Sequence, residues 1–260
     1  MTGVGVNSGV HGRLEGGRRG SARTVVVHSF RGGTGKSTVV ANLAQLLAQA
    51  GARVAMVDTD LHSPTLQALF GLPAEGLSLG DYLLGRCEIE AAATPVGPPG
   101  LWLVPARTAS CPLAQILAAG YDVGLLPEGF RRLIECHSLD VLLLDTHTGL
   151  NNETVTAMAC ADVLVTVVRA DMVDLPGTEE AESVVRRLGC ARALVVNMVA
   201  TEEDPQQAGE RAERAHGVAA LPLPYALEMS QLAGVRIFSE ARPKHSLATG
   251  FRRLANMVLD

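Results

Sequence analysis

Phe30-Arg31-Gly32-Gly33-Thr34-Gly35-Lys36-Ser37-Thr38 follows an apolar run, Val25-Val26-Val27, and precedes a helical pattern of Val39, Val40, Leu43, Leu46 and Leu47. A strand, a glycine-rich loop and Gly-Lys-Ser opening a helix make the context of a phosphate-cradling P-loop. Glycines let backbone N–H groups turn inward as an anion nest. The helix N-terminus adds partial positive charge. In this setting Lys36 would reach the β- and γ-phosphates of a nucleotide, and Ser37 would offer its hydroxyl to Mg²⁺. Gly32, Gly33, Thr34, Gly35 and Thr38 complete the expected cradle. One detail departs from the general motif. Phe30 stands five before Gly35, where Gly is usual, and a second cation, Arg31, precedes the double glycine.

Outward from that loop, composition sets the class. The chain has 260 residues, 47% of them hydrophobic, which is ample for one sizeable core. No apolar run approaches the roughly 18–20 residues of a membrane span. The first arginines are followed by no apolar stretch, so no secretory leader is expected. Five cysteines (Cys87, Cys111, Cys136, Cys160, Cys190) are odd in number and widely spaced, without Cys-x-x-Cys. They read as buried small hydrophobes in a reducing cytoplasm, not as a disulfide framework or a zinc site. The net charge of −5 is uneven: residues 1–23 carry Arg13, Arg18, Arg19 and Arg23 against Glu15, a net +3, which leaves −8 for the remainder. Such an acidic body argues against nucleic-acid binding over the whole surface. Lys36 and Lys244 are the only lysines among 22 basic residues. Lys36 thus keeps a compact ammonium where the chain otherwise uses guanidinium, as a point contact to phosphate requires.

Residues 1–22, rich in Gly, Ser and Arg, read as a flexible tail. Residues 23–260 read as a single domain. Strand-like runs fall at Thr24–Ser29, Arg53–Val57, Leu101–Pro105, Val141–Leu144, Val163–Val168, Ala193–Val196 and Ala219–Leu223. Helical patterns are expected near 37–50, 64–71, 78–93, 112–119, 127–137, 152–160, 177–188, 205–215 and 245–258. The strands are short, β-branched and almost continuously apolar, as buried parallel strands are. This alternation predicts an α/β fold with a doubly wound, mostly parallel sheet and helices on both faces. Gly97-Pro98-Pro99-Gly100 reads as a loop.

Ligands in such sheets bind at the carboxyl ends of strands, and the remaining polar motifs lie there. Val57-Asp58-Thr59-Asp60 places two carboxylates after the second strand. One can order Mg²⁺ and the other can orient an attacking water; a turn or helix-capping role is the alternative. Leu142-Leu143-Leu144-Asp145-Thr146-His147-Thr148-Gly149 has the Walker B pattern. Asp145 would hold magnesium or its water shell, and Gly149 would free the following loop to sense a γ-phosphate. His147 reads as a positioned hydrogen-bonder more than as a base. Asn197, with Pro224 and Tyr225, ends the last strands and suits a nucleobase edge and face; strand-end capping is the alternative for Asn197.

Together these residues resemble the deviant Walker A ATPases of the ParA/MinD family, over 24–260. Arg31-Gly32-Gly33-Thr34-Gly35-Lys36-Ser37 stands where the family usually has Lys-Gly-Gly-x-Gly-Lys-Ser/Thr. Asp58-Thr59-Asp60 looks like the family's Asp-x-Asp segment, whose second Asp is associated with water activation, which leaves Asp58 as a candidate Mg²⁺ residue with Ser37 and Asp145. Asp145 to Leu150 resembles switch II. Asn197 and Pro224 match adenine-contacting positions, and Arg242 to Leu247 resembles the linker before the family's final helix. In the family, the first lysine of the loop reaches across an ATP-sandwich dimer; here that position is Arg31, and an arginine in trans can stabilise phosphoryl-transfer charge.

The resemblance implies ATP and Mg²⁺ as cofactors, a homodimer formed with ATP, slow hydrolysis stimulated by an unidentified activating partner, and a role in positioning or partitioning a cargo. The implied location is cytoplasmic or nucleoid-associated. Two sources of non-specific DNA binding are candidates: the arginine tail, and the C-terminal cluster Arg236, Arg242, Lys244, Arg252 and Arg253, opposed by Glu240. The family's membrane-binding branch carries a basic amphipathic helix at the C-terminus. Here the chain stops at Asp260 after a stripe of Leu247, Phe251, Leu254 and Val258 that reads as a core-packing face, so autonomous membrane binding is not expected. Two alternatives are a metal-centre maturation ATPase of the same superfamily and a non-hydrolysing ATP-binding regulator or scaffold. The absence of Cys-x-x-Cys weighs against the first, and intact Lys36, Ser37, Asp60 and Asp145 weigh against the second. Tyr82, Tyr121 and Tyr225 make no tyrosine cluster, which excludes a tyrosine autokinase.

Overall fold

The computed structural model describes residues 22–172, 183–200, 202–232 and 236–260. The tail expected over 1–22 lies outside these residues except for Ala22, and so does the helix expected over 177–188 except for residues 183–188.

The strands are β1 (Arg23–His28), β2 (Val54–Asp58), β3 (Thr94–Pro95), β4 (Leu101–Val104), β5 (Val141–Asp145), β6 (Val163–Arg169), β7 (Ala191–Val199) and β8 (Ala220–Pro224). They form one sheet in the order β3-β4-β2-β5-β1-β6-β7-β8. β3 pairs antiparallel with β4; the other pairings are parallel.

The continuous apolarity of the strands follows from cover on both faces. Val25 and Val27 of β1, with Val141 and Leu143 of β5, enter one core cluster. Their alternates, Val26, Leu142 and Leu144, enter the other. Of the longer helices, α1 (Lys36–Gln49), α2 (Leu125–His137), α3 (Asn152–Ala159), α4 (Pro205–His216) and α5 (Ser246–Leu259) follow in chain order. α1 packs on the first face together with α5, whose Leu247, Phe251, Leu254 and Val258 are all buried there. α2 covers the second face with Leu126, Phe130 and Leu133. α4 lays Ala208 and Ala212 against Val196 and Val199 near the β8 edge.

Three local expectations are corrected. The helix expected over 78–93 is two pieces, Leu79–Leu83 and a 3₁₀ turn at Ile89–Ala92. Ser78 and Asp81 cap the first piece reciprocally, and Gly85 turns the chain with φ +68°, a conformation that ends a helix. β3 was not anticipated, because two residues carry no periodicity. Of the five cysteines expected to be buried, Cys111 is, Cys87, Cys160 and Cys190 are half-buried, and Cys136 is exposed in the last turn of α2.

The register sets up the site. Asp145 on β5 stands level with Val27 on β1 and with Asp58 on β2. Three parallel strands thus end side by side, and their following loops must share one rim.

Candidate functional site

The loop from β1 to α1 is built on two glycines in the left-handed region, Gly33 (φ +72°) and Gly35 (φ +89°). Only glycine adopts such angles without strain. Gly35 is constrained a second time: a Cβ there would lie 2.5 Å from Asn197 Nδ2. That amide donates to the Thr34 carbonyl at 2.8 Å, so the end of β7 pins the loop. The Ser29 hydroxyl donates to the Arg31 carbonyl at 2.7 Å. A Cβ on Gly32 or Gly33 would meet nothing within 4 Å, which leaves the loop's outer wall open to a ligand. Arg31 is exposed, while Lys36, at the first position of α1, is buried.

Lys36 lies among acidic groups. Burial lowers its pKa, and Asp145, Asp60 and Asp58 act against that shift. Asp145 is buried, and burial raises its pKa to about 7 in spite of a hydrogen bond from Ser37 and the nearby Lys36 charge. Its Oδ1 is buried with no hydrogen-bond partner among the described residues. An orphaned carboxylate oxygen there, beside a serine hydroxyl and an ammonium, has the chemistry of a hard-cation ligand.

Asp58 is also fully buried, and burial together with Asp145 raises its pKa well above the ordinary carboxylate value. It accepts the backbone N–H groups of Asp60 at 3.1 Å, Thr65 at 3.0 Å and Leu66 at 3.2 Å. It therefore organises the whole turn after β2. Asp60 is partly exposed, and its Oδ1 accepts the N–H groups of His62 (3.1 Å) and Ser63 (2.8 Å). His147 places Nε2 3.9 Å from that same oxygen.

Behind the loop, His28 Nδ1 meets Thr146 Oγ1 at 3.0 Å, and Thr146 donates to the Val27 carbonyl at 3.1 Å. Burial first, and Lys36 second, lower the His28 pKa to about 3, so the imidazole is neutral.

A small open cleft lies on the other side of Gly35, between Asn197, Met198, Pro224, Tyr225, Met229 and Phe251. The β7–β8 pairing shifts register between Val196 and Val199, and Met198 has φ +61°. Such a bulge re-aims the side chains at the strand end. Asn197 thereby touches both the loop and the cleft.

The residues expected from sequence thus converge: Lys36, Ser37, Asp58, Asp60 and Asp145 at the level ends of β1, β2 and β5, and Asn197, Pro224 and Tyr225 around the cleft. Sequence reasoning missed Met198, Met229, Leu247 and Phe251 as cleft walls. Leu247 and Phe251 carried only a core-packing signal, and they serve the core and the cleft at once. His62 also received no role, although its ring packs edge-on against His147 with centroids 5.2 Å apart. The arrangement can hold a polyphosphate over the loop, a divalent cation at Ser37 and Asp145, and a flat apolar ring in the cleft.

Comparison with known proteins gives the chain a family. Residues 25–234 match the CobQ/CobB/MinD/ParA nucleotide binding domain. The chain is 30% identical over 190 residues to an uncharacterized ATP-binding protein of Methanocaldococcus jannaschii, covering 70% of this chain and 66% of that protein. It is 30% identical over 159 residues to the chromosome-partitioning ATPase Soj of Thermus thermophilus, covering 61% and 59%. The chain spans between half and two-thirds of the length of such curated relatives. Among solved structures, the septum site-determining protein MinD of Pyrococcus horikoshii, complexed with Mg-ADP, superposes with a TM-score of 0.77 at 25% identity, over 92% of this chain and 96% of that one.

Proposed function

The chain belongs to the CobQ/CobB/MinD/ParA nucleotide binding domain family, and from that premise we propose that it is a molecular switch that dimerises with ATP, hydrolyses it slowly until a partner protein stimulates it, and positions or partitions an intracellular cargo. It is a P-loop ATPase of the ParA/MinD type whose cofactors are ATP and Mg²⁺. The observation that carries the proposal is the meeting of buried Lys36 and Asp145 with half-buried Ser37 and Asp60 on one rim, with a cleft on the far side of the same loop.

The residues fit the cofactors. Open space lies over Gly32 and Gly33, and the orphaned Asp145 Oδ1 offers a ligand beside Ser37. Bound Mg²⁺ would supply Lewis-acid neutralisation of the phosphate charge. In the proposed mechanism the backbone N–H groups from Gly32 to Thr38 cradle the phosphates, and Lys36 neutralises their terminal oxygens. Ser37 and Asp145 hold the cation. Asp58 stands behind them and fixes the turn that presents Asp60. Asp60 accepts a hydrogen bond from the attacking water and orients it in line with the terminal phosphate. Asn197, Pro224 and Tyr225 receive the base. Arg31, exposed at the mouth of the loop, reaches the phosphates of a second subunit.

Light scattering on Asp60→Ala with and without ATP tests this reading. The variant is expected to bind ATP and accumulate as a dimer, whereas Lys36→Ala loses nucleotide binding. A monomeric Asp60→Ala protein in saturating ATP would falsify the sandwich-dimer mechanism. The trapped species then reports the surface on which the switch works. Exposed Arg242, Lys244 and Arg253 favour DNA over a lipid surface. Retention on DNA should require ATP and fall steeply with salt, and salt-insensitive retention on liposomes would overturn that assignment.

A further inference from the structure

Beside the phosphate rim lies a donor set of another kind. Ligand atoms of Asp60, His62 and His147 all fall within 4.8 Å of one another. The His147 Nδ1 faces the Thr148 carbonyl at 2.7 Å. A carbonyl only accepts, so Nδ1 carries the hydrogen and a neutral ring keeps its lone pair on Nε2. That Nε2 is the atom turned to Asp60, at 3.9 Å from Oδ1. A backbone carbonyl holding the remote nitrogen of a ligating imidazole is the usual outer support of a metal-binding histidine. His62 completes the set from the exposed side. Its backbone is held as well, because the Arg107 guanidinium donates to the carbonyls of Leu61 at 2.9 Å and of His62 at 3.4 Å. Bonds of about 2.0–2.2 Å to a tetrahedral ion place ligand atoms ~3.3 Å apart, so closure needs about 1.5 Å of movement at most. The exposed His62 side chain can supply it by rotation.

We propose that Asp60, His62 and His147 bind a divalent transition-metal ion of the zinc type, and that its occupation holds ATP hydrolysis back. Two imidazoles and one carboxylate suit zinc-like ions, whereas Mg²⁺ takes oxygen ligands, so this site and the Ser37–Asp145 site select different ions. A metal on Asp60 removes the carboxylate that orients water. This second clause rests on the role of Asp60 proposed above; binding itself does not.

The test is a Co²⁺ titration of the metal-stripped full chain without nucleotide or Mg²⁺, read by the visible d–d bands, followed by displacement with Zn²⁺. Loss of an outer-shell partner already weakens metal affinity about 10–100-fold, so His62→Ala or His147→Ala should weaken Co²⁺ by about 100-fold or more. Circular dichroism checks that both variants fold. In parallel, Zn²⁺ should slow hydrolysis of Mg-ATP by the unmodified protein and leave His62→Ala unaffected at the same concentration. Absence of d–d bands, or unchanged Co²⁺ affinity in the His62→Ala/His147→Ala double variant, overturns the site. Co²⁺ binding that His62→Ala abolishes, with hydrolysis indifferent to Zn²⁺, supports the site and overturns its control of Asp60. Failure of the ATPase reading therefore leaves the cobalt result standing.

Discussion

Gly35 answers to two constraints that no other residue satisfies together. Its φ of +89° strains any L side chain, and a Cβ would press on the Asn197 amide at 2.5 Å. Gly35→Ala should therefore cost about 1–3 kcal/mol of stability and weaken nucleotide binding, measured by urea unfolding and by fluorescent-nucleotide titration. His28 makes a second prediction at this scale. Its pKa falls from 6.5 unfolded to about 3 folded, so between those values the unfolded chain binds a proton that the folded chain refuses. The contribution of His28 is complete above pH 6.5 and is lost as pH falls towards 3. Asp145 works in the opposite direction: its folded value of about 7 exceeds the ordinary 3.8, so the folded chain gains stability as pH falls through 7. The difference between the unmodified protein and His28→Asn isolates the histidine: relative to the unmodified protein, the unfolding midpoint of the variant should rise as pH falls from 6.5 towards 3, because the Asp145 slope is then unopposed. Neither shift could be read in the sequence, because both arise from burial among residues far along the chain. Lys36, Ser37 and Asp145 were legible because a loop after a strand, and an Asp after four hydrophobics, announce their position locally.

Elements were legible where one period ruled a whole segment. β1 and β5 read as buried parallel strands because their alternates face two cores, and α5 kept its stripe from Leu247 to Val258. The segment 78–93 misled because its apolar residues continue past Gly85, where the backbone turns. Less visible still is how elements lock together. Asn42, buried in α1, donates to the Thr38 carbonyl at 2.8 Å and accepts the Ser239 N–H at 2.7 Å. It thus ties the short helix Phe238–Ala241 to the helix that follows the phosphate loop. Asn42→Ala strands the buried Ser239 N–H and should cost about 1–3 kcal/mol, read as a lower denaturation midpoint with an unchanged m-value.

The whole molecule gathers its rim and cleft from segments near 30–38, 58–66, 145–149 and 197–251, which only the sheet order brings together. Sequence motifs marked the strand ends, but the cleft's inner wall was invisible because Met229 and Phe251 come from elements with no motif of their own. Arg31 stands at the molecular surface, where it can serve a neighbour. Arg31→Ala should weaken ATP-dependent self-association in light scattering and slow hydrolysis at least about tenfold; unchanged association and rate would return the loop to a self-sufficient cradle. The bond from Asn197 to the Thr34 carbonyl joins positions 163 residues apart, and its consequence is entropic. A glycine-rich loop is among the most mobile segments a chain can have, and ordering it costs about 1–2 kcal/mol per residue. Here that ordering belongs to folding, because β7 holds the loop in place before any phosphate arrives. Recognition thus begins from a preorganised receptor, and the interaction energy with the nucleotide is left for affinity.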